Sequence, residues 1–155
     1  MEIRKLCVIG DPVEHSKSPL IQNTMIEALG LPYTYGAVRV KRGETAAWLR
    51  QAKEAGYAGF NATMPHKVDL LDLVDELGAD AKAFGAVNTV CIRPDGTTVG
   101  YNTDGRGFLR AIADLDVTPK GARVCLLGAG GAAKAVALKL AQAGAAEVTV
   151  CNRTK

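Results

Sequence analysis

The run Gly128-Ala129-Gly130-Gly131-Ala132-Ala133 constrains the fold of this chain more than any other segment. Its spacing is G-x-G-x-x-A. It follows a continuous apolar stretch, residues 122–127 (ARVCLL), and runs into an alanine-rich stretch at 131–143 that reads as a helix. A second apolar, β-branched stretch comes next, 147–151 (EVTVC). A glycine-rich turn says little by itself. Between a buried strand and a helix that leads to a second strand, it specifies a strand–turn–helix–strand unit. Gly128 then permits the tight turn, Gly130 lets the backbone approach a ligand, and Ala133 lets the helix pack close to the strand. Exposed N–H groups at the start of such a helix hold a pyrophosphate without help from a lysine.

The end of the second strand refines that ligand. A unit for NAD carries Asp or Glu about 20 residues beyond the glycines, to bind the ribose 2′-hydroxyl. Here the chain reads Cys151-Asn152-Arg153-Thr154-Lys155, with no acid. The planar fork of Arg153 suits a 2′-phosphate. Asn152 and Thr154 can add hydrogen bonds, and Lys155 adds positive charge. NADP is therefore favoured over NAD, and a solvated loop arginine is the alternative reading of Arg153.

The rest of the chain alternates strand and helix signals. Strands are predicted at 3–9, 33–40, 58–62, 87–92 and 97–101, and helices at 18–29, 44–55, 67–77, 79–84 and 105–115. Ser18 reads as a helix N-cap with Pro19 at the first helical position. Leu70, Leu71, Val74 and Leu77 have helical spacing. Pro94-Asp95-Gly96 marks a turn. The alternation predicts an α/β chain in two parts. Residues 1–101 would form a domain around a mixed, mainly parallel sheet in three layers. Residues 102–155 would supply a linker helix and the first β-α-β of an incomplete Rossmann-like domain.

Composition removes other classes. Of 155 residues, 48% are apolar and 23% charged, which excludes a disordered chain. The net charge of +3 is scattered, with no basic run and few aromatics, so nucleic acid is not an expected partner. No apolar run is long enough for a membrane span. Cys7, Cys91, Cys125 and Cys151 all stand in apolar surroundings and are expected to be buried, reduced thiols. With two histidines and no C-x-x-C, no metal site is expected. No signal peptide is recognisable, so the expected location is the cytoplasm.

Polar residues recur at the predicted strand ends, where an open α/β sheet builds its ligand crevice. They are Ser16 and Ser18, Asn61, Thr63, His66 and Lys67, Asn88, and Asn102 and Asp104. Each has an ordinary alternative as a cap, turn former or surface charge, and His66 reads as a surface or first-turn helix residue. As a set they lie in GDPVEHSKSPLIQN, GFNATMPHK, GAVNTV and YNTDGRGF, followed by GAGGAAKA and NRT. In this order, over residues 5–155, the motifs resemble those of the shikimate dehydrogenases. Two positions depart from the family pattern: Gln22-Asn23 stands where His-Asn is frequent, and Asn61-Ala62-Thr63 where Asn-Val-Thr is frequent.

The resemblance implies an NADP-dependent reduction of 3-dehydroshikimate to shikimate, a step of aromatic amino acid biosynthesis; the alternatives are a quinate/shikimate dehydrogenase using NAD, against which Arg153 argues, and a truncated substrate-binding module without turnover. It implies that Ser16 and Ser18 bind the substrate carboxylate, and that Asn61, Thr63, Asn88 and Asp104 hold ring hydroxyls. Lys67 and Asp104 would be the catalytic pair. Gly128, Ala129, Gly130, Gly131 and Ala132 would line the pyrophosphate, with Asn152, Arg153 and Thr154 around the 2′-phosphate. The expected partner is this small substrate, and a homodimer is left open. Lys67 would also lie in the field of a helix start, given the helix predicted at 67–77. Finally, the resemblance implies that these 155 residues are the N-terminal part of a longer enzyme.

Overall fold

A computed structural model describes residues 3–130 and 132–153. The chain forms two compact units, Met1–Tyr101 and Asn102–Lys155. In the first, the elements are β1 (Arg4–Gly10), α1 (Ser18–Ala28), β2 (Tyr33–Arg39), α2 (Thr45–Glu54), β3 (Tyr57–Ala62), β4 (Glu76–Leu77), α3 (Ala79–Phe84), β5 (Thr89–Ile92) and β6 (Thr98–Tyr101). The strands form one sheet in the order β2-β1-β3-β5-β6-β4. The β1–β2, β1–β3 and β4–β6 pairs are parallel, and β5 runs antiparallel to β3 and β6. The sheet is thus mixed and mainly parallel.

The period of two along β1 divides its side chains between two cores. Cys7 and Ile9 enter the main core, with Trp48, Leu49 and Ala52 of α2, Phe60 and Ala62 of β3, and Ala81 of α3. The Trp48 ring meets Tyr57 and Phe60 edge-on, at 5.4 and 6.2 Å between centroids. Leu6 and Val8 face the other way, with Val13, Tyr35 and Ile26 of α1. α1 packs there on β1 and β2 but buries no residue fully, and Leu20, Ile21, Met25 and Leu29 stay exposed.

The helix expected at 67–77 does not form. One 3-10 turn spans Asp69–Leu71, and Glu76 begins β4. Two distant partners explain this. An α-helix would give the Lys67 carbonyl to the N–H of residue 71. The Val87 N–H takes it instead, at 2.7 Å, and the Leu71 N–H turns to the Val68 carbonyl. Further on, the Asp75 N–H donates to Thr98 Oγ1, while Asp75 Oδ2 accepts from both the N–H and the hydroxyl of Thr98. That exchange draws the chain into the sheet. The apolar residues still reach the core: Leu70 is fully buried, with Leu71, Val74 and Leu77 packed beside it.

Ser18 is also not a cap. It is the first helical residue of α1, and its own N–H donates to Ser16 Oγ at 3.2 Å. The expectation of four buried thiols holds only for Cys7, whose thiol burial pushes up to about 12. Cys91 alternates with the buried Val90 and Ile92 of β5 and so faces away from the core. Cys125 and Cys151 are exposed on the second unit's thin sheet, their sulfurs 3.6 Å apart.

That second unit contains α4 (Asp104–Ala113), β7 (Arg123–Leu127), α5 (Ala133–Gln142) and β8 (Glu147–Cys151). β7 and β8 pair in parallel, from Arg123 opposite Glu147 to Leu127 opposite Cys151. α4 rests on α5 at Gly105, where a Cβ would lie 2.8 Å from the Ala135 carbonyl oxygen and 2.5 Å from Lys139 Cγ. Only glycine allows that approach.

Candidate active site

In the first unit the predicted residues gather where β1, β3 and β6 end and β5 begins. Gly10 closes β1, and a Cβ on it would strike Thr63 Cγ2 at 2.5 Å. The missing side chain lets Thr63 lie against the β1 end, where its N–H donates to the Ile9 carbonyl. Ser16, Ser18 and Thr63 line one cleft of about 310 Å³ together with His15 and Val13. Three hydroxyl-bearing residues thus line one small space, a composition suited to a polar, oxygen-rich ligand.

Asn61 lines a separate cavity of about 440 Å³ with Tyr35 and Thr89, within a chain of amides and hydroxyls. Tyr35 donates its hydroxyl to Asn61 Oδ1 at 2.6 Å, and Asn61 Nδ2 donates to the Asn88 carbonyl and to Thr89 Oγ1. Thr89 in turn donates to Asn88 Oδ1. Burial holds the Tyr35 hydroxyl well above its ordinary range, so it remains a donor. Asn88 is 8% exposed, and its backbone bonds both neighbouring strands, to Ala62 and Tyr101. Asn61 and Asn88 are therefore brought together, with much of the Asn61 amide engaged inside the protein.

Lys67 follows Thr63 on the same connection. Since no α-helix starts there, the helix field expected to act on it is absent. His66 beside it is not a surface residue: it is fully buried, bonded to Thr45 and to the Val40 carbonyl. Asn23, inside α1, was missed as a positioning residue. Its amide accepts from the Tyr35 N–H and donates to the Tyr35 carbonyl, at 2.9 and 2.8 Å. The available signal was an asparagine in the middle of a helix, a position it does not favour.

In the second unit Asp104 opens α4, and its N–H donates to Oδ1 of the buried Asn102 at 3.1 Å. Gly128 takes φ +106°, and its N–H donates to the Cys151 carbonyl at 2.7 Å. This bond ties the glycine loop to the end of β8. Gly128, Gly130 and Ala132 line a depression of about 460 Å³ with Phe108 and Val136. A Cβ on Gly128 or Gly130 would meet nothing within 4 Å, so the backbone there faces open space. Beside it α5 begins, without a side-chain cap on its N–H groups. Ala129 lies between the two glycines; Asn152 and Arg153 follow β8 and are exposed. An open backbone cradle and uncapped helix N–H groups fit a dinucleotide phosphate. Gly131 and Thr154, also predicted for this site, lie outside the described residues. Among the described residues no cluster of His, Cys, Asp or Glu could hold a metal ion, and no helix is long and apolar enough to cross a membrane.

Residues 8–90 match the family model for the shikimate dehydrogenase substrate binding domain, and residues 111–155 match that for shikimate / quinate 5-dehydrogenase. Shikimate dehydrogenase (NADP(+)) of Geobacter metallireducens is 46% identical over 152 residues, which cover 97% of this chain and 53% of that protein. A shikimate 5-dehydrogenase from Thermus thermophilus, solved in complex with NADP(H) and shikimate, aligns with a TM-score of 0.91 and 39% identity over 98% of this chain and 57% of that one. A ligand-free 5-ketofructose reductase from a Gluconobacter strain also aligns, at 0.91 and 38% identity, over 99% and 55% of the two chains. The chain spans about half the length of the curated relatives it matches.

Proposed function

The chain belongs to the shikimate dehydrogenase family, and from that premise we propose that the full-length protein reduces 3-dehydroshikimate to shikimate with NADPH. The observation that carries the reading is the cleft lined by Ser16, Ser18 and Thr63, with Lys67 on the same connection. Ser16 and Ser18 donate to the substrate carboxylate. Thr63, Asn61, Asn88 and Asp104 hold ring hydroxyls, and Asn61 also sets the position of Asn88. A site built to bond each hydroxyl rejects analogues that lack one, because its own polar groups are then left unpaired.

NADPH, when bound, supplies a hydride to the substrate ketone. Gly128, Ala129, Gly130, Gly131 and Ala132 hold its pyrophosphate, and Asn152, Arg153 and Thr154 take the 2′-phosphate. Hydride addition builds negative charge on the ketone oxygen, and a nearby proton donor stabilises that charge. Lys67 is this donor: its Nζ gives a proton to the oxygen in reduction and recovers it in the reverse reaction. Asp104, the other member of the expected catalytic pair, accepts from a substrate hydroxyl. The full-length protein mixed with 3-dehydroshikimate and NADPH should consume the reduced nicotinamide absorbance and yield shikimate. Absence of turnover with both present contradicts the reading.

A further inference from the structure

His66 touches no substrate in this scheme, yet both nitrogens of its buried ring are held, one residue before Lys67. Its Nε2 lies 2.8 Å from the Val40 carbonyl, which can only accept, so Nε2 carries a proton and donates. Its Nδ1 lies 2.9 Å from Thr45 Oγ1, and Thr45 also reaches Asp69 Oδ2 at 3.0 Å. In the neutral ring Thr45 donates to Nδ1. In the imidazolium Nδ1 donates to Thr45, which then donates to Asp69. The ring stays bonded to Thr45 in both cases. His66 is fully buried and Thr45 is 2% exposed, so water offers no substitute partner.

The backbone around the ring is held as well. The His66 N–H donates to the Thr63 carbonyl at 3.0 Å, and the Lys67 carbonyl accepts from Val87 at 2.7 Å. The Lys67 backbone therefore sits between two anchors. One is the His66 ring, which ties it to the end of the β2 segment and the start of α2. The other is Val87, next to Asn88.

We propose that His66 is a positioning residue for Lys67: its imidazole, spanning the Val40 carbonyl and the Thr45 hydroxyl, fixes the place from which the lysine gives its proton. The proposal rests on the reading of Lys67 as proton donor. Placement matters because a displacement of about 1 Å at a reacting group costs on the order of a hundredfold in rate. An ordinary core histidine would support the fold and leave the Lys67 geometry unaffected.

The test uses the full-length protein and two readouts. In the kinetic one, His66→Leu should lower kcat by about tenfold or more with little change in the substrate KM. His66→Gln, which keeps a donor for Val40, should recover most of the loss. In a Lys67→Ala background, His66→Leu should change the residual rate by less than about twofold, because a residue acting through Lys67 has nothing left to act on. An unchanged kcat in His66→Leu, or the same loss with and without Lys67, overturns the proposal. Where His66→Leu does not fold, Thr45→Val loosens one anchor and carries the same cycle. The second readout needs no turnover. With lysines labelled as 13C-dimethyl amines, the Lys67 signal, identified by its loss in Lys67→Arg, should move in His66→Leu or Thr45→Val while the other lysine signals hold still. A wild type that ignores 3-dehydroshikimate but shows this response overturns the functional reading and supports the positioning role. A wild type that turns over, with an unmoved Lys67 signal in both variants, does the reverse.

Discussion

The two units reach their sites by different physics. In the first, a sheet of six strands encloses a core in which Cys7, Ile9, Leu70, Ala81 and Val87 are fully buried. Its site residues come from segments far apart in sequence and meet only because that core exists. In the second, the sheet has two strands, and Ala135 and Leu140 are the buried apolar residues among those described. Leu127 is 89% exposed at the end of β7. Its glycine loop is nonetheless shaped, because the loop is a property of a few successive residues and one bond from Gly128 to the end of β8. One site is a product of packing and the other of local backbone geometry.

The comparison breaks first at Phe60, where the largest effect is expected. Phe60→Ala should cost about 3–5 kcal/mol, from a ring that is 3% exposed beside Trp48. Hydrogen exchange in the full-length protein should show faster amides throughout β1, β3 and β5, with β7 and β8 unchanged. Equal loosening of both units would mean that they do not hold separate cores. Gly105→Ala is the counterpart in the second unit. The added methyl meets the Ala135 backbone, and a clash of this kind costs about 1–3 kcal/mol. Thermal unfolding and exchange should locate the loss in α4 and α5, and an unaffected protein would refute the close contact.

Two smaller effects sharpen the contrast. Arg153→Glu should raise the KM for NADPH by about tenfold or more, through loss of a charge-assisted pair, and alter that for NADH little. Equal changes would remove Arg153 from the 2′-phosphate site. The smallest effect is expected at Thr98. Its hydroxyl first, and then its N–H, hold the Asp75 carboxyl below the usual carboxylate range. A group held low when folded stabilises the fold above its unfolded value, about 4, and that contribution fades as pH falls through the folded value. Thr98→Val should therefore lower Tm at neutral pH, and the gap from wild type should close in acid. A gap independent of pH would contradict the role of this pair.

The same contrast explains what the sequence revealed. The strand–turn–helix–strand unit was legible because G-x-G-x-x-A and its flanking strands are contiguous. Five of the six strands of the first unit were legible from their apolar runs, all but β4, and the turn at Gly96 from its residues. The segment 67–77 was not legible. Leu70, Leu71 and Val74 satisfy a helix and a turn equally well, and Val87 and Thr98, some twenty residues away, decide between them. The burial of His66 depends on Val40 and Thr45, partners no local pattern reveals. Likewise the Asn61 amide gave no sign of its engagement with Tyr35 and Thr89. The exposed cysteines followed an apolar pattern that the alternation of β5 and the thin second sheet did not bury.

The central claim is that the first unit supplies the proton for an NADPH-dependent ketone reduction. Steady-state kinetics of Lys67→Ala in the full-length protein test it most directly. The account predicts that kcat for 3-dehydroshikimate falls by about 10²–10⁴-fold, the usual worth of a general acid, while the substrate KM stays within a few-fold of wild type. A kcat close to wild type would contradict it.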